Sequence, residues 1–449
     1  MLQHQYYGNF TKEEFEALPE ILQRFLSYTQ YNTTSNPHSD TLPSTPEQMA
    51  YAHLLKAEFE SVGIKDCKVT DKGIVYAWVP ASEGLETAPA LGLIAHMDTS
   101  PEASGEPAQW KVIDYKGGDI VLNEEKDIVL KLERFPEVAK YAGQPLVVTD
   151  GTTLLGADDK AGIAVLVQLA KYFVENPEVA HAKLCFCVTP DEEIGRGTAG
   201  FDPKEFGADY AYTIDGSEVG GFDTETFNAA MVTAHFEGLN VHPGSAKDKM
   251  VNAIRMAMDF LSRFPSESIP EKTCRYEGFF HPIGITGAVR GVDVRMLIRD
   301  HDNTKFEDRK AYVRKVAEEM NKVWDGRVTV TVKDQYYNLM NYLKDYPVVC
   351  DIAREAFRRE GLEIVENPVR GGSDGCQISK MGVPTPNFFT GGLNFHGVYE
   401  CLPVKSLLRS YDIAKRLCEM SSEVKTLKWS VSCSDKKLGG FSSSPSFFN

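Results

Sequence analysis

Short apolar runs alternate with segments of helical periodicity along most of the chain. Residues 90–95, 183–188 and 210–214 are buried-strand candidates, and between the first two the apolar residues of 161–173 recur at helical spacing. Short strands that are apolar throughout are typical of a parallel sheet covered by helices on both faces. The pattern therefore predicts an α/β fold with a mainly parallel sheet.

The middle of the chain follows a different order of elements. The pattern there predicts a strand at 229–236, a helix at 250–264, strands near 279–286 and 292–298, a helix at 306–324 and a strand at 327–332. This β-α-β-β-α-β order is that of a ferredoxin-like sandwich. We therefore expect residues 227–337 to be a domain inserted into the α/β domain, which comprises residues 1–226 and 338–420. The serine-rich segment 421–449 has little periodicity, and we expect a disordered tail there.

The amino-acid composition restricts the classes of protein to which the chain can belong. The 449 residues are 42% hydrophobic and 25% charged, with a formal net charge of -16, which argues against a nucleic-acid-binding role. No run approaches the roughly 20 apolar residues that cross a bilayer, and the N-terminal sequence lacks the apolar core of a signal peptide. The nine cysteines include no CxxC pair and favour a reducing compartment. We therefore expect a cytoplasmic protein without a membrane partner.

A histidine and an aspartate follow the first of the predicted strands. His96 and Asp98 stand at positions i and i+2, which point to the same side of an extended segment. In open α/β sheets, ligand sites form beyond the carboxyl ends of the strands. The pair can therefore act as a metal ligand and its orienting partner. An HxD motif alone is a weak signal, so the alternative is a histidine with a purely structural role.

Further acids and a second histidine occupy related positions. Asp158 begins the apolar helix, where capping of the helix is the alternative role. Glu192 and Glu193 follow the second strand, where one carboxylate can bind a cation while the other moves a proton, and an exposed acidic turn is the alternative. Asp215 ends the third strand, and His396 lies in a glycine-rich loop.

These positions taken together predict a two-metal centre. Two imidazoles and three carboxylates without a thiolate suit zinc, manganese or cobalt. Five ligands with one shared carboxylate suit two cations about 3.5–4 Å apart. Two more residues indicate substrate handling, since His242 in an NVHPG turn can donate to an oxyanion and Arg370 can bind a carboxylate. A turn histidine and a solvated arginine are the alternatives.

The motifs between about residue 20 and residue 420 resemble, in the same order, those of the M20 metallopeptidases. The matching segments include HMDTSP from His96, TDGTTLLGADDKAGIA from Thr149, TPDEEIGRG from Thr189, NVHPGSAKDKMVNA from Asn240, RGGSDG from Arg370 and TGGLNFHG from Thr390. The resemblance implies an aminopeptidase that removes the N-terminal residue of short peptides, preferably tripeptides. It also implies that the inserted domain serves as a lid and forms a homodimer. The alternatives are a dipeptidase, a carboxypeptidase, an N-acyl amino acid deacylase, or a metal-bearing peptide-binding protein without catalysis.

The resemblance also implies roles for individual residues. Two zinc ions, with Co²⁺ or Mn²⁺ as substitutes, would bind His96, Asp158, Glu193, Asp215 and His396, with Asp158 bridging them. The catalytic residues would be Asp98, which orients a ligand, Glu192, the general base, and His242, which stabilises the oxyanion. The substrate-binding residues would be Arg370, Arg299 and Asn394.

Five positions depart from the pattern of this family, the mildest being Ser373, where threonine is usual. Ser217 and Glu218 stand where glycines are usual, and an added carboxylate there would alter recognition of the substrate's amine. Leu393 and Phe395 stand where tyrosines are typical, which removes two hydroxyl groups near the predicted site.

Overall fold

The computed structural model describes residues 6–427 and divides the chain into two compact units. The larger unit contains the described residues of Met1–Phe222, Tyr342–Glu366 and Ser373–Asn449, and the smaller unit contains Asp223–Asn341 and Asn367–Gly372. The predicted insertion, 227–337, lies within the smaller unit, which also takes a second short piece of the chain.

The helices and strands alternate along most of the described chain. The α-helices are α1 (Lys12–Glu16), α2 (Glu20–Tyr28), α3 (Pro46–Ser61), α4 (Ala157–Glu175), α5 (Pro203–Phe206), α6 (Ala253–Ser262), α7 (Asn303–Val323), α8 (Met340–Leu343), α9 (Pro347–Arg359), α10 (Asp374–Lys380) and α11 (Val404–Met420). The β-strands are β1 (Asp66–Val69), β2 (Val75–Val79), β3 (Leu91–His96), β4 (Lys111–Tyr115), β5 (Ile120–Asn123), β6 (Ile128–Leu130), β7 (Gln144–Val148), β8 (Leu184–Thr189), β9 (Tyr210–Ile214), β10 (Phe222–Asp223), β11 (Asn228–Glu237), β12 (Phe279–Ala288), β13 (Gly291–Asp300), β14 (Val328–Tyr336), β15 (Asn387–Phe388) and β16 (Cys401–Pro403).

The larger unit is built on a seven-stranded sheet with the strand order β1-β2-β8-β3-β9-β15-β10. Strands β8, β3, β9 and β15 run parallel, whereas β2 is antiparallel to β8. Phe186 of β8 packs against Phe59 of α3 on one face of the sheet. Its neighbour Cys187 points to the other face, in a core with Phe206 of α5 and Ile378 of α10. The predicted parallel sheet with helices on both faces is therefore confirmed.

A second, three-stranded sheet of the larger unit has the order β16-β7-β4 and is antiparallel. Leu393 forms a bridge with Cys401, the first residue of β16. Residues 393–401 are therefore a loop closed at its base and fastened to a sheet, and His396 lies within this loop.

The smaller unit contains a four-stranded antiparallel sheet with the order β12-β13-β11-β14. Along β13 the buried positions alternate with less buried ones, and the buried Val294 and Met296 share a core with Met256 of α6 and Val313 of α7. Such alternation is expected when helices cover one face of a sheet. The chain order β11-α6-β12-β13-α7-β14 confirms the predicted ferredoxin-like arrangement.

The predicted start of the tail, residue 421, needs correction. Ser421–Glu423 form a 3-10 helix that continues directly from α11. The buried hydroxyl of Ser421 accepts a hydrogen bond of 2.9 Å from the backbone N–H of Ala182. One turn is too short to produce a visible period in the sequence. Residues 428–449, the rest of the predicted tail, lie outside the described residues. Among residues 6–427, no helix has the length and apolar character needed to span a bilayer.

Candidate metal centre

The five predicted cation ligands lie together at the carboxyl edge of the large sheet. His96 ends β3, Asp215 directly follows β9, and Glu193 lies in the turn after β8. Asp158 is in the first turn of α4, and His396 is in the loop before β16. Parallel strands bring their carboxyl ends to the same edge, which explains how residues so far apart in sequence come together.

The five side chains form two groups of three that share one carboxylate. His96, Asp158 and Asp215 form one group, and Asp158, Glu193 and His396 form the other, with the ligand atoms of each group within 4.8 Å of one another. One oxygen of Asp158, Oδ1, lies 2.9 Å from Nε2 of His96. The other, Oδ2, lies 3.3 Å from Nε2 of His396. Asp158 thus presents one oxygen to each group, which is the geometry of a bridging carboxylate.

The electrostatics of the two groups favour bound cations. Burial and the charge of Asp158 raise the pKa of Glu193 to about 7, and the same two effects raise the pKa of Asp215. Hydrogen bonds to Asp158 and Glu193 raise the pKa of His396 to about 11. Glu193 Oε1 is buried without a hydrogen-bond partner among the described residues. Crowded carboxylates with an unsatisfied oxygen, together with imidazoles, fit divalent cations of the zinc, cobalt or manganese type.

Asp98 connects one ligand with the acidic turn. Its Oδ1 lies 3.3 Å from Nδ1 of His96, and the side chain is fully buried. The same carboxylate accepts hydrogen bonds from the backbone N–H groups of Glu192 at 2.9 Å and of Glu193 at 3.1 Å. This position is compatible with the orienting role that the resemblance implies. Asp98 also holds the backbone of the turn at Glu192 and Glu193 in place.

The predicted general base, Glu192, is next to these ligands in the chain and in space. Burial raises the pKa of its carboxyl group well above the ordinary value, and the charge of Asp215 adds to this, whereas His96 opposes it. A raised pKa is the direction that lets one carboxyl group both accept and donate a proton near neutral pH.

The predicted substrate residues are divided between the units. His242, Arg299 and Arg370 belong to the smaller unit, and Asn394 belongs to the larger one. His242 is exposed, and its Nδ1 accepts a hydrogen bond of 3.1 Å from the backbone N–H of Gly244. The side chain of Asn394 donates to the carbonyl of Tyr399 at 3.2 Å and so helps to close the loop that carries His396.

Both predicted arginines make contacts inside the smaller unit. Arg370 donates to the carbonyl groups of Arg275 (3.0 Å) and Glu277 (2.9 Å) and to the hydroxyl of Thr273 (2.7 Å). Arg299 donates to Gln335 at 2.9 Å. These bonds use donors that a substrate carboxylate would need, so the carboxylate-binding role of either arginine stays a prediction.

The unusual positions near the site are explained in part by their surroundings. Glu218 accepts a hydrogen bond of 2.8 Å from Lys140, so its charge is already paired. Leu393 is buried in a core with Leu146 and Val148, where it packs as an apolar residue. Ser217 has a φ of 67°, the left-handed conformation that explains why glycine is usual there.

Sequence reasoning missed several buried polar residues that support the ligands. Asp159 accepts a hydrogen bond of 3.1 Å from the backbone N–H of His96, and Asp191 binds α3. Glu400 binds the backbone before Asp158. Their partners are distant in sequence, although one signal was available: Glu400 is a single acid beside the apolar Cys401 and Leu402.

Comparison with known proteins identifies the family. Residues 146–420 match peptidase family M20/M25/M40. The chain belongs to this family. It is 45% identical over 402 residues to peptidase T of Parabacteroides distasonis, which covers 90% of this chain and 99% of the relative. It is 44% identical over 405 residues to peptidase T of Clostridium botulinum, with the same coverage. The resemblance to the M20 peptidases is thereby confirmed.

Solved structures of the same family share the fold. The aminopeptidase PepT of Bacillus cereus superposes with a TM-score of 0.69 at 22% identity, covering 90% of this chain and 98% of that one. A dinuclear metal-binding peptidase of the M20 family from Bacillus subtilis gives a TM-score of 0.60 at 12% identity, covering 92% and 99%. At these identities the comparison concerns the M20 fold alone.

Proposed function

We propose that this M20 peptidase is a dinuclear zinc aminopeptidase that hydrolyses the N-terminal peptide bond of short peptides, preferably tripeptides. The observation that carries the proposal is the shared carboxylate of Asp158, which faces one histidine with each oxygen. The similarity to peptidase T over 90% of the chain supports the class of substrate. Cobalt or manganese are alternative cations for the same donors.

The residues of the site have different roles in the proposed reaction. The cations would be held by His96, Asp158, Glu193, Asp215 and His396. The chemistry supplied by two bound divalent cations is polarisation of the peptide carbonyl and a lower pKa of the attacking water. The carboxylate of Glu192 takes the proton from that water and returns it to the nitrogen of the departing peptide. Asp98 keeps the imidazole of His96 and the backbone of Glu192 in place.

Two further parts of the proposal concern substrate binding and the smaller unit. His242 stabilises the developing oxyanion, and Arg370, Arg299 and Asn394 contribute to holding the peptide. The insertion, 227–337, serves as a lid and as the surface of a homodimer. The family resemblance supports these roles.

The proposal is tested with a panel of substrates and identification of their products. A free tripeptide, its N-acetylated form, its C-terminal amide, a dipeptide and an N-acyl amino acid are incubated with protein of measured metal content. We expect the free tripeptide to give its first residue and a dipeptide, and the N-acetylated form to remain intact. Release of the C-terminal residue would identify a carboxypeptidase, and cleavage of the N-acyl substrate a deacylase. Tight binding without turnover in a fully metallated sample would identify a non-catalytic binding protein.

A further inference from the structure

Glu400 is a buried acid whose side chain is directed at the backbone that leads into Asp158. It is 2% exposed. Its carboxylate accepts hydrogen bonds from the backbone N–H groups of Leu155 at 2.8 Å, Gly156 at 2.7 Å and Asp158 at 3.1 Å. Three convergent N–H donors match the acceptor capacity of an ionised carboxylate. The bonds span 242 to 245 positions of the sequence.

The segment that Glu400 binds is not held by regular helical geometry. Asp158 (φ -85°, ψ 104°) and Asp159 (φ -122°, ψ 34°) depart from helical angles at the start of α4. Gly156, at the start of the helix, has a φ of 77°, a left-handed conformation that glycine adopts readily. Because the helix does not fix the backbone of Asp158, the bond from its N–H group to Glu400, together with those from Leu155 and Gly156, restrains this segment.

The backbone of Glu400 belongs to the loop that carries His396. Leu393 and Cys401 exchange backbone hydrogen bonds of 2.9 and 3.0 Å at the base of this loop. The N–H of Glu400 donates to the carbonyl of Gly397 at 3.1 Å. His396 itself has a φ of 61°, so the loop turns sharply at the ligand. The position of Glu400 is thereby tied to that of His396.

We infer that Glu400 is a positioning residue that fixes Asp158 and His396 relative to each other. The inference rests on the proposed function, because it gives Glu400 a part in building the two-cation site. Two of the three ligands in the group of Asp158, Glu193 and His396 lie on the segments that Glu400 joins. The other group depends on it through Asp158 alone. Loss of the Glu400 carboxylate therefore weakens one cation site more than the other.

Cobalt titration of the full chain, stripped of metal with a chelator, tests the inference. Co²⁺ binding is followed by calorimetry and by visible absorption in the wild type and in Glu400→Gln. Glutamine presents one acceptor oxygen, and its NH₂ group faces N–H donors. We expect the wild type to bind two ions, and Glu400→Gln to bind one of them roughly 10–100-fold more weakly, the usual effect of removing a support of a metal ligand.

A matched control separates positioning from general stability. Glu58 is also buried, 4% exposed, but pairs with Arg24. We expect Glu58→Gln to lower the melting temperature of the metal-free protein while leaving both cobalt affinities unchanged. If Glu400→Gln does not fold, Glu400→Asp takes its place, since it keeps the charge but is too short to reach all three N–H groups.

The outcomes distinguish the two proposals. A wild type that binds fewer than two cobalt ions contradicts the proposed function. A wild type that binds two, together with Glu400 variants that bind both as tightly, overturns only the role of Glu400. Loss of the fold in both Glu400 variants also overturns it, because the residue would then be needed by the fold rather than by the cation site.

Discussion

Gln48 and Asp191 are joined by a reciprocal pair of hydrogen bonds. The side chain of Gln48 donates to Oδ1 of Asp191 at 2.7 Å, and the backbone N–H of Asp191 donates to Oε1 of Gln48 at 3.0 Å. Both residues are fully buried. Asp191 has a φ of 56° and directly precedes Glu192 and Glu193. The start of α3 thus holds the turn on which the proposed base and a proposed ligand stand.

Replacement of Gln48 should affect stability and turnover together. Gln48→Ala leaves the buried N–H of Asp191 without its acceptor, which costs about 1–3 kcal/mol. A displacement of Glu192 by about 1 Å can lower the rate by roughly 10²-fold. We therefore expect a lower kcat, measured on a free tripeptide, beside a lower urea midpoint. Gln30→Ala is the control, because Gln30 donates to the carbonyl of Ala108 (2.9 Å) away from the acidic turn. Equal kcat in the two variants would show that the pair of hydrogen bonds between Gln48 and Asp191 does not position Glu192.

The adjacent acids Glu192 and Glu193 should differ in what their replacement removes. Glu192→Gln loses the proton acceptor, so we expect kcat to fall by roughly 10²–10⁴-fold with two cations still bound. Glu193→Gln loses a proposed ligand, so we expect weaker cation binding first and lower activity as its consequence. Metal analysis after dialysis, paired with kcat, checks both. Wild-type turnover in Glu192→Gln would end its assignment as the base.

Local patterns predicted the elements that carry the site. Strands β3, β8 and β9 are buried along their whole length, and their sequences are apolar enough to be recognised. The acids and histidines beyond their ends follow because parallel strands share a carboxyl edge. The family resemblance then supplied the individual roles, which no spacing could give.

The residues that hold the site in shape could not be predicted in this way. Gln48 meets Asp191 across 143 positions of the sequence, and Glu400 meets Gly156 across 244. Neither contact has a local period or a short motif, since each depends on how distant segments pack. The same reason applies to the β16-β7-β4 sheet, whose strands are short and far apart in the sequence, with many other elements between β7 and β16. Long-range hydrogen bonds of single side chains therefore become visible only in the three-dimensional structure.

Replacement of Asp98 by asparagine should have a larger effect than the loss of its contact with His96 alone would cause. Its carboxylate accepts from two backbone N–H groups, those of Glu192 and Glu193, and asparagine can satisfy one of them with its single oxygen. We expect Asp98→Asn to weaken cobalt binding by roughly 10–100-fold. Asp202→Asn is the control, because Asp202 also accepts from two backbone N–H groups, at 2.9 and 3.5 Å, in an exposed helix cap. Cobalt affinity like that of the wild type in Asp98→Asn would contradict the prediction.

The smaller unit should lose a stabilising ion pair in acid. The ammonium group of Lys310 lies 2.8 Å from Oδ1 of Asp334. Partial burial alone would raise the pKa of Asp334, but hydrogen bonds from Lys310 and Tyr337 bring it below the ordinary value. A carboxyl group with a lowered pKa stabilises the folded state above its unfolded pKa, about 3.9, and this contribution disappears as the pH falls through the folded pKa.

Asp334→Asn should therefore lower the urea midpoint at pH 7, and the difference from the wild type should shrink as the pH falls below about 3.9. The effect is expected to be modest, because the side chain of Asp334 is 37% exposed and solvent screens the pair. Urea unfolding at about pH 7 and at a pH below about 3.9, followed by far-UV circular dichroism, measures it. Asp308→Asn, at an exposed position of the same helix as Lys310, is expected to leave the midpoint unchanged at both pH values. A difference for Asp334→Asn that is constant with pH would show that the ion pair is not its cause.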